Sequence, residues 1–255
     1  MRPLILLAND DGFDSPYLAA TAEALDPLGE LWVVAPERQR SAVSHSITLH
    51  KPLRVREETE HRYSVSGSPV DCVYIAVVKL LPRRPDVLVS GINRGFNLGA
   101  DIFYSGTVAA AIEGALRGVP GVALSLAPSR EADIGAAVRF GSALVASLLE
   151  HPMPARTILN VNLPAAVGSS YQWTRLGERV YNDVVDDRDD PRGRRYYWIG
   201  GGVARVDNPP GTDCNAVENG HISVTPLHLD MTHHAVLADV RPWQVNGFEP
   251  VDTHA

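Results

Sequence analysis

The chain has 255 residues, of which 45% are apolar and 21% charged, and its formal net charge is −7. This length can bury the core of one large α/β domain with an appendage, while the acidic balance argues against a general nucleic-acid-binding surface. No stretch approaches the roughly 18 consecutive apolar residues of a membrane helix, and the first residues lack the charged-then-apolar pattern of a secretory leader. We therefore expect a cytoplasmic protein that binds no membrane.

The two cysteines, Cys72 and Cys214, have neither Cys-x-x-Cys nor zinc-site spacing. Two isolated cysteines are typical of buried thiols in a reducing compartment, and a long-range disulfide is the alternative. The spacing thus argues against a zinc centre.

The first two thirds of the chain alternate between apolar strands and amphipathic helices. Strands are predicted at residues 4–8, 31–35, 86–90, 121–125 and 157–163, and helices at about 16–25, 69–81, 107–117 and 131–150. Alternation of polar and apolar residues over 46–56 and 61–66 predicts a hairpin. The whole pattern predicts an α/β fold, with a three-layer, Rossmann-like and mostly parallel sheet.

The alternation ends at about residue 168. Residues 186–195 are dense in charge and precede the apolar segment Tyr196–Ile199. A solvated loop leading into a strand is one interpretation, and a projecting hairpin for subunit contacts is the other. The tail 227–255 has few helix signals and would also suit an arm. We expect a single domain over 1–255, with a core of about 1–167 and a hairpin and C-terminal arm of about 168–255.

Polar residues follow the first predicted strand, where Asn9, Asp10 and Asp11 precede Gly12. Ligands of open α/β sheets bind beside the carboxyl ends of strands. Two adjacent carboxylates repel each other unless a cation or a proton lies between them, and a divalent ion that prefers oxygen ligands meets this need. A solvated loop with a helix cap is the alternative.

A glycine-rich segment follows the strand at 86–90. Gly91, Gly95 and Gly99 recur every four residues, which is not the dinucleotide-binding pattern. Such glycines let backbone amides approach a ligand closely, and Asn93 and Asn97 offer neutral oxygen ligands or hydrogen-bond donors. A turn-rich connector is the alternative.

Ser105, Gly106 and Thr107 stand where the next helix begins. The first-turn amides and the dipole of a helix favour an anion such as phosphate, although a Ser-Gly-Thr start is often only a cap. Ser41, which follows the second strand, could complete an oxygen-only ion site or could be a surface serine. The proposed metal ligands are therefore Asp10, Asp11, Ser41 and Asn93, with water. This set suits Mg²⁺ or Mn²⁺ better than Zn²⁺.

A cation beside a phosphate site implies phosphoryl chemistry. Asp10 or Asp11 would either accept a proton from the attacking water or act as the nucleophile. Near the C-terminus, Asp230 could orient His234 as a proton donor to the leaving alkoxide. The alternative is that His234 is simply exposed.

These segments together resemble the SurE survival-protein family of nucleotidases. The resemblance rests on ordered motifs over nearly the whole chain: Asn9–Gly12, Ala35–Ser41, Ser90–Asn93, Asn97–Gly99, Tyr104–Ala110, Asn160–Pro164, Asp190–Gly193, Tyr196–Trp198, Gly211–Asp213 and Ser223–Leu227. Two departures are Phe96, where proline is expected, and Cys214, where an aromatic residue is common.

The resemblance implies a metal-dependent phosphomonoesterase that hydrolyses nucleoside 5′- and 3′-monophosphates and, as in some members of the family, short polyphosphate. It implies one divalent ion per subunit on Asp10, Asp11, Ser41 and Asn93. Phosphate contacts would come from Asn97, Ser105, Gly106 and Thr107, and the catalytic set would be Asp10, Asp11, Asn97 and His234. It also implies a homodimer or homotetramer formed through a swapped C-terminal arm, without a stable nucleic-acid partner.

Other classes fit less well. A response-regulator receiver needs a lysine at the end of a late strand, and neither Lys51 nor Lys79 is there. Haloacid-dehalogenase phosphatases need two acids two positions apart, whereas Gly12 stands two positions after Asp10. No Gly-x-x-x-x-Gly-Lys occurs, which excludes a P-loop ATPase. A nucleotide-binding protein without catalytic activity remains the alternative.

Overall fold

A computed structural model of the chain describes residues 2–182, 184–204, 206–240, 243, 246 and 247. Its main sheet has nine strands in the order β3-β4-β2-β1-β5-β6-β7-β11-β8. The strands of this sheet are β1 (Leu4–Ala8), β2 (Glu30–Pro36), β3 (Val55–Thr59), β4 (Arg62–Val65), β5 (Val87–Arg94), β6 (Gly121–Leu126), β7 (Thr157–Leu163), β8 (Tyr171–Trp173) and β11 (Ile222–His228). Strands β9 (Val184–Asp189) and β10 (Arg195–Gly200) form a separate antiparallel pair.

The helices are α1 (Pro16–Leu25), α2 (Pro69–Ile75), α3 (Gly106–Leu116), α4 (Ile134–Glu150), α5 (Asp213–Glu218) and α6 (His234–Val240). Short 3₁₀ segments follow α1 and precede α3, and a π-helical turn extends α2 to Leu80. None of the helices within the described residues has the length and apolar character needed to cross a bilayer.

The predicted three-layer, mostly parallel sheet is confirmed. Strands β4, β2, β1, β5, β6 and β7 pair in parallel, whereas β3 on β4 and β11 on β7 are antiparallel. Strand β1 shows why helices cover both faces, because all five of its residues are buried. Its side chains alternate: Ile5 and Leu7 belong to one apolar cluster, and Leu4, Leu6 and Ala8 belong to the other.

The observed hairpin β3–β4 is shorter than predicted. Residues 46–54 form an irregular segment in place of a strand, and the Thr48 amide donates a hydrogen bond to the Asp71 carboxylate of α2, at 2.8 Å. A side-chain acceptor thus replaces the strand partner, which an alternating sequence pattern cannot reveal.

The region after residue 168 contains elements that the sequence pattern did not predict. Strands β8 and β11 and helix α5 add to the edge of the sheet, and α6 forms in a tail that shows few helix signals. The projecting hairpin is present as β9 and β10, and all twelve of its residues are exposed. Cys72 and Cys214 are free, buried thiols.

Candidate active site

A polar cavity of about 320 Å³ opens at the carboxyl edge of the parallel strands. Its wall consists of Asp10, Ser41, Ala42, Asn93, Arg94, Phe96, Asn97, Asp101, Tyr104, Ser105 and Tyr181. The segments after β1, β2 and β5 and the start of α3 therefore meet at one place, as expected for parallel strands.

Asp10 is the most deeply placed acid of this cavity, with 6% of its surface exposed. The Thr107 hydroxyl donates a hydrogen bond to Asp10 Oδ1 at 2.7 Å, which joins β1 to the first turn of α3. Burial raises the pKa of Asp10 to about 6; the Thr107 hydrogen bond opposes this shift, and the negative charge of Asp11 adds to it.

The close approach of α3 to Asp10 depends on a glycine. A Cβ atom at Gly106 would lie 3.0 Å from Asp10 Cβ and 3.1 Å from Asp10 Oδ2. Carbon contacts this short are repulsive, so a larger residue would separate α3 from the carboxylate. Ser105 caps the same helix through its hydroxyl, which accepts a hydrogen bond from Val108 N at 3.1 Å.

Asp11 lies beside the cavity wall and is half-buried. The amide of Arg94 donates to Asp11 Oδ2 and Gln39 Nε2 donates to Asp11 Oδ1, both at 3.4 Å. Burial raises the pKa of Asp11, and the hydrogen bond and positive charge of Arg94 oppose that shift. The carboxylates of Asp10 and Asp11 therefore share one site but have different partners.

Ser41 and Asn93, the two neutral residues of the proposed metal site, border the same cavity as Asp10. The loop that carries exposed Ser41 is tied to Asp10 by a hydrogen bond from Arg40 N to Asp10 O, at 2.7 Å. Asn93 Nδ2 donates to Gly95 O at 2.9 Å. This bond uses the amide nitrogen, so Asn93 Oδ1 takes no part in it. Both residues line the cavity with Asp10.

The proposed donor set fits a divalent cation chemically. It combines two carboxylates with a hydroxyl and a carboxamide, all oxygen donors of the kind that Mg²⁺ and Mn²⁺ prefer. The raised pKa values of Asp10 and Asp11 mark an environment in which a neutralising cation is favourable. Within the described part of the chain there is no cluster of three or more His, Cys, Asp or Glu residues suited to a metal, so any ion here would need the neutral ligands.

Comparisons with known proteins identify the family of this chain. The family model described as "Survival protein SurE" matches residues 5–183. The chain belongs to the SurE family. A SurE relative from Myxococcus xanthus, named "5'-nucleotidase SurE", is 52% identical over 247 residues, covering 96% of this chain and 94% of the relative.

More distant SurE proteins match over nearly the same length. A relative of the same printed name from Geotalea daltonii is 46% identical and covers 94% of this chain and 99% of its own. The crystal structure of the SurE protein from Aquifex aeolicus superposes with a TM-score of 0.84 at 40% identity, covering 94% of this chain and 98% of that one. The resemblance inferred from the motifs is thus confirmed.

The predicted pair Asp230–His234 forms, but away from the cavity. His234 Nε2 lies 2.7 Å from Asp230 Oδ2, and both side chains are exposed. Strand β11 runs antiparallel to β7 and pairs His228 with Thr157 at the amino end of β7. The chain therefore leaves β11 at the edge of the sheet opposite the cavity, and His234 is not among the residues that line the cavity.

Several site residues were not identified from sequence. Phe96 and Tyr181 line the cavity, and Tyr181 donates its hydroxyl to Asp101 Oδ1 at 2.6 Å. Asn160 and Asn162 lie behind Asn97 and contact its backbone. The signal available for this pair is the presence of two asparagines, two residues apart, inside an otherwise apolar strand.

Proposed function

We propose that this chain is a metal-dependent 5′-nucleotidase that hydrolyses nucleoside 5′- and 3′-monophosphates to nucleoside and phosphate. The observation that carries the proposal is the contact between Thr107 and Asp10. It joins a helix N-terminus, which favours an anion, to a carboxylate pair, which favours a cation. The printed names of the SurE relatives support the same activity.

In this proposal Asp10, Asp11, Ser41 and Asn93 hold one Mg²⁺ or Mn²⁺ ion per subunit. When bound, such an ion would polarise a phosphoryl oxygen and lower the pKa of a coordinated water. Asp10 and Asp11 are the two carboxylates that can take up the proton of the attacking water. The buried Asp10 cannot turn freely, because Thr107 holds one of its oxygens.

The phosphate group would lie at the start of α3. Ser105 borders the cavity there, and the first-turn amides of Gly106 and Thr107 supply donors at the positive end of the helix dipole. Because the Thr107 hydroxyl donates its hydrogen bond to Asp10, Thr107 would bind phosphate through its backbone amide. Asn97, which lines the same cavity, adds a side-chain amide.

The test of activity is phosphate release from AMP and GMP. We expect release in the presence of Mn²⁺ and its loss on addition of EDTA, restored by excess Mn²⁺. Binding of AMP without phosphate release would contradict the enzymatic proposal and would favour a nucleotide-binding protein.

We also propose a homodimer or homotetramer that forms through the hairpin and the C-terminal arm. On β9 and β10, Ile199 is 93% exposed, Trp198 61% and Val185 59%. Large apolar side chains are rarely left in water at such exposure unless another molecule covers them. A second copy of the chain is the occupant that the swapped-arm resemblance implies.

The catalytic role proposed for His234 depends on such an assembly, because the residue does not line the cavity of its own chain and follows a strand that ends at the opposite edge of the sheet. It would act at the site of a neighbouring copy. Assaying Asp10→Asn and His234→Ala separately and then mixed tests this directly. If sites are shared between copies, each variant is inactive by itself and mixed oligomers restore part of the activity. No restoration from two inactive variants would contradict sharing between copies, and full activity of His234→Ala by itself would remove His234 from the catalytic set.

A further inference from the structure

Two asparagines lie within β7, a strand paired on both sides between β6 and β11. Asn160 and Asn162 are fully buried, whereas their strand neighbours Leu159, Val161 and Leu163 are apolar. Burial of a carboxamide costs free energy unless it is hydrogen-bonded. Apolar residues at these two positions would be enough to pack the core. The two buried carboxamides therefore need a reason other than packing.

Both side chains hold the backbone of the same residue, Asn97. Asn97 N donates to Asn162 Oδ1 at 2.8 Å, and Asn97 O accepts from Asn160 Nδ2 at 2.8 Å and from Asn162 Nδ2 at 3.0 Å. The contacts bridge more than 60 residues of sequence. The donor and the acceptor of Asn97 are thus both held by one strand of the sheet.

The side chain of Asn97 is fixed as well. Its Nδ2 donates to Ser125 Oγ at 2.7 Å, and Ser125 lies in register between Asn93 on β5 and Asn162 on β7. A primary amide has two N–H donors, so Asn97 keeps one for the cavity that it lines.

A fourth buried side chain, that of Asp213, holds the end of the same loop. Asp213 Oδ2 accepts a hydrogen bond from Gly99 N at 2.8 Å, and Gly99 adopts a left-handed φ of +51°. Asp213 Oδ1 accepts from Gly177 N and Cys214 N, at 2.6 and 2.8 Å. The loop from Asn97 to Gly99 therefore cannot move independently of the sheet.

We propose that Asn160 and Asn162 are positioning residues for the phosphatase reaction. They contact no substrate atom; they hold Asn97 so that its free amide hydrogen is directed at the phosphate. This inference rests on the proposed role of Asn97 in phosphate binding. Preorganised donors stabilise charge in a transition state without reorganisation, and a misplacement of about 1 Å can lower the rate by about 100-fold.

The test compares Asn162→Leu and Asn160→Leu with a control on the neighbouring strand. Thr225 on β11 lies in register with Asn160 and is equally buried, but its hydroxyl bonds to Thr174 and not to the loop. Thr225→Val therefore removes a buried hydrogen bond without touching Asn97. Asn162→Ala removes the donor and the acceptor without adding volume or charge, and it provides a second variant in case the leucine variants do not fold.

For AMP with Mn²⁺, we expect kcat of the asparagine variants to fall by about 10- to 100-fold. The inhibition constant of inorganic phosphate should rise, while Mn²⁺ affinity measured by calorimetry stays unchanged. Thr225→Val should lower the melting temperature but leave kcat and phosphate inhibition as in the parent protein. Asn97→Ala should raise the phosphate inhibition constant at least as much as Asn162→Leu.

Two results would overturn this inference while leaving the proposed phosphate contact of Asn97 intact. One is parental kcat and phosphate inhibition in folded Asn160 and Asn162 variants, combined with weakened phosphate inhibition in Asn97→Ala. The other is an equal loss of kcat in Thr225→Val, which would assign the asparagines a purely structural role. Parental phosphate inhibition in Asn97→Ala would overturn both this inference and the proposed phosphate contact.

Discussion

Replacement of Gly106 by alanine should impair catalysis without destabilising the fold. The new Cβ would lie 3.0 Å from Asp10 Cβ, 3.1 Å from Asp10 Oδ2 and 3.3 Å from Pro69 Cγ. Ordinary carbon contacts begin near 3.5 Å, so α3 and Asp10 must separate by about 0.5 Å. Since about 1 Å of misplacement can cost about 100-fold in rate, we expect kcat to fall by about tenfold.

The effect on stability should be small because two contributions oppose each other. Overpacking at a tight contact costs about 1–3 kcal/mol, whereas replacing glycine by alanine lowers the entropy of the unfolded chain and contributes about 0.4–1 kcal/mol to stability. Gly114 provides a matched control on the same helix, where a Cβ would meet Leu88 at an ordinary 3.4 Å. Gly114→Ala should therefore keep full activity and gain slightly in stability.

The assay is phosphate release from AMP with Mn²⁺, together with thermal unfolding of both alanine variants. Equal activity of Gly106→Ala and Gly114→Ala would refute the reasoning, because it would show that the spacing between α3 and Asp10 does not matter for the reaction. A Gly106→Ala protein that unfolds far more easily than the parent would show that packing against Pro69, rather than catalysis, requires the glycine.

Three further outcomes are expected. Asp10→Asn should lose most of its activity and still fold, because it removes a charge but little volume; unchanged turnover by phosphate release would remove Asp10 from the proposed metal site. Deletion of residues 230–255 should weaken assembly, as measured by light scattering, and an intact oligomer would count against the arm. Burial alone would raise the pKa of Glu113, but hydrogen bonds from His45 and Arg117 outweigh it and lower that pKa. Since the pKa is depressed in the folded state, Glu113 stabilises the protein above the ordinary glutamate pKa, and this contribution is lost as the pH falls through the lower value. Glu113→Gln should therefore lower the free energy of unfolding by about 2–3 kcal/mol near neutral pH and by less in acid. A denaturation midpoint that is lowered equally at neutral and at acid pH would contradict this.

The elements that were predicted well are those with a strong local pattern. Residues 4–8 and 157–163 were assigned as strands with the bounds that the structure has, because apolar runs ended by a turn or a proline carry their own signal. The pieces of the cavity followed from position alone, since polar residues after parallel strands meet at one edge. The nine-stranded sheet therefore brings Asp10, Asn93 and Ser105 together as the sequence suggested.

The sequence by itself determined the α/β core, the family and five of the groups that line the cavity, namely Asp10, Ser41, Asn93, Asn97 and Ser105. Only the tertiary structure decided that β11 runs antiparallel and ends at the opposite edge, and that Asn160 and Asn162 hold the backbone of Asn97. Strand and turn preferences depend on near neighbours in the chain. The direction of a strand and a hydrogen bond between residues more than 60 positions apart depend on how the whole sheet packs.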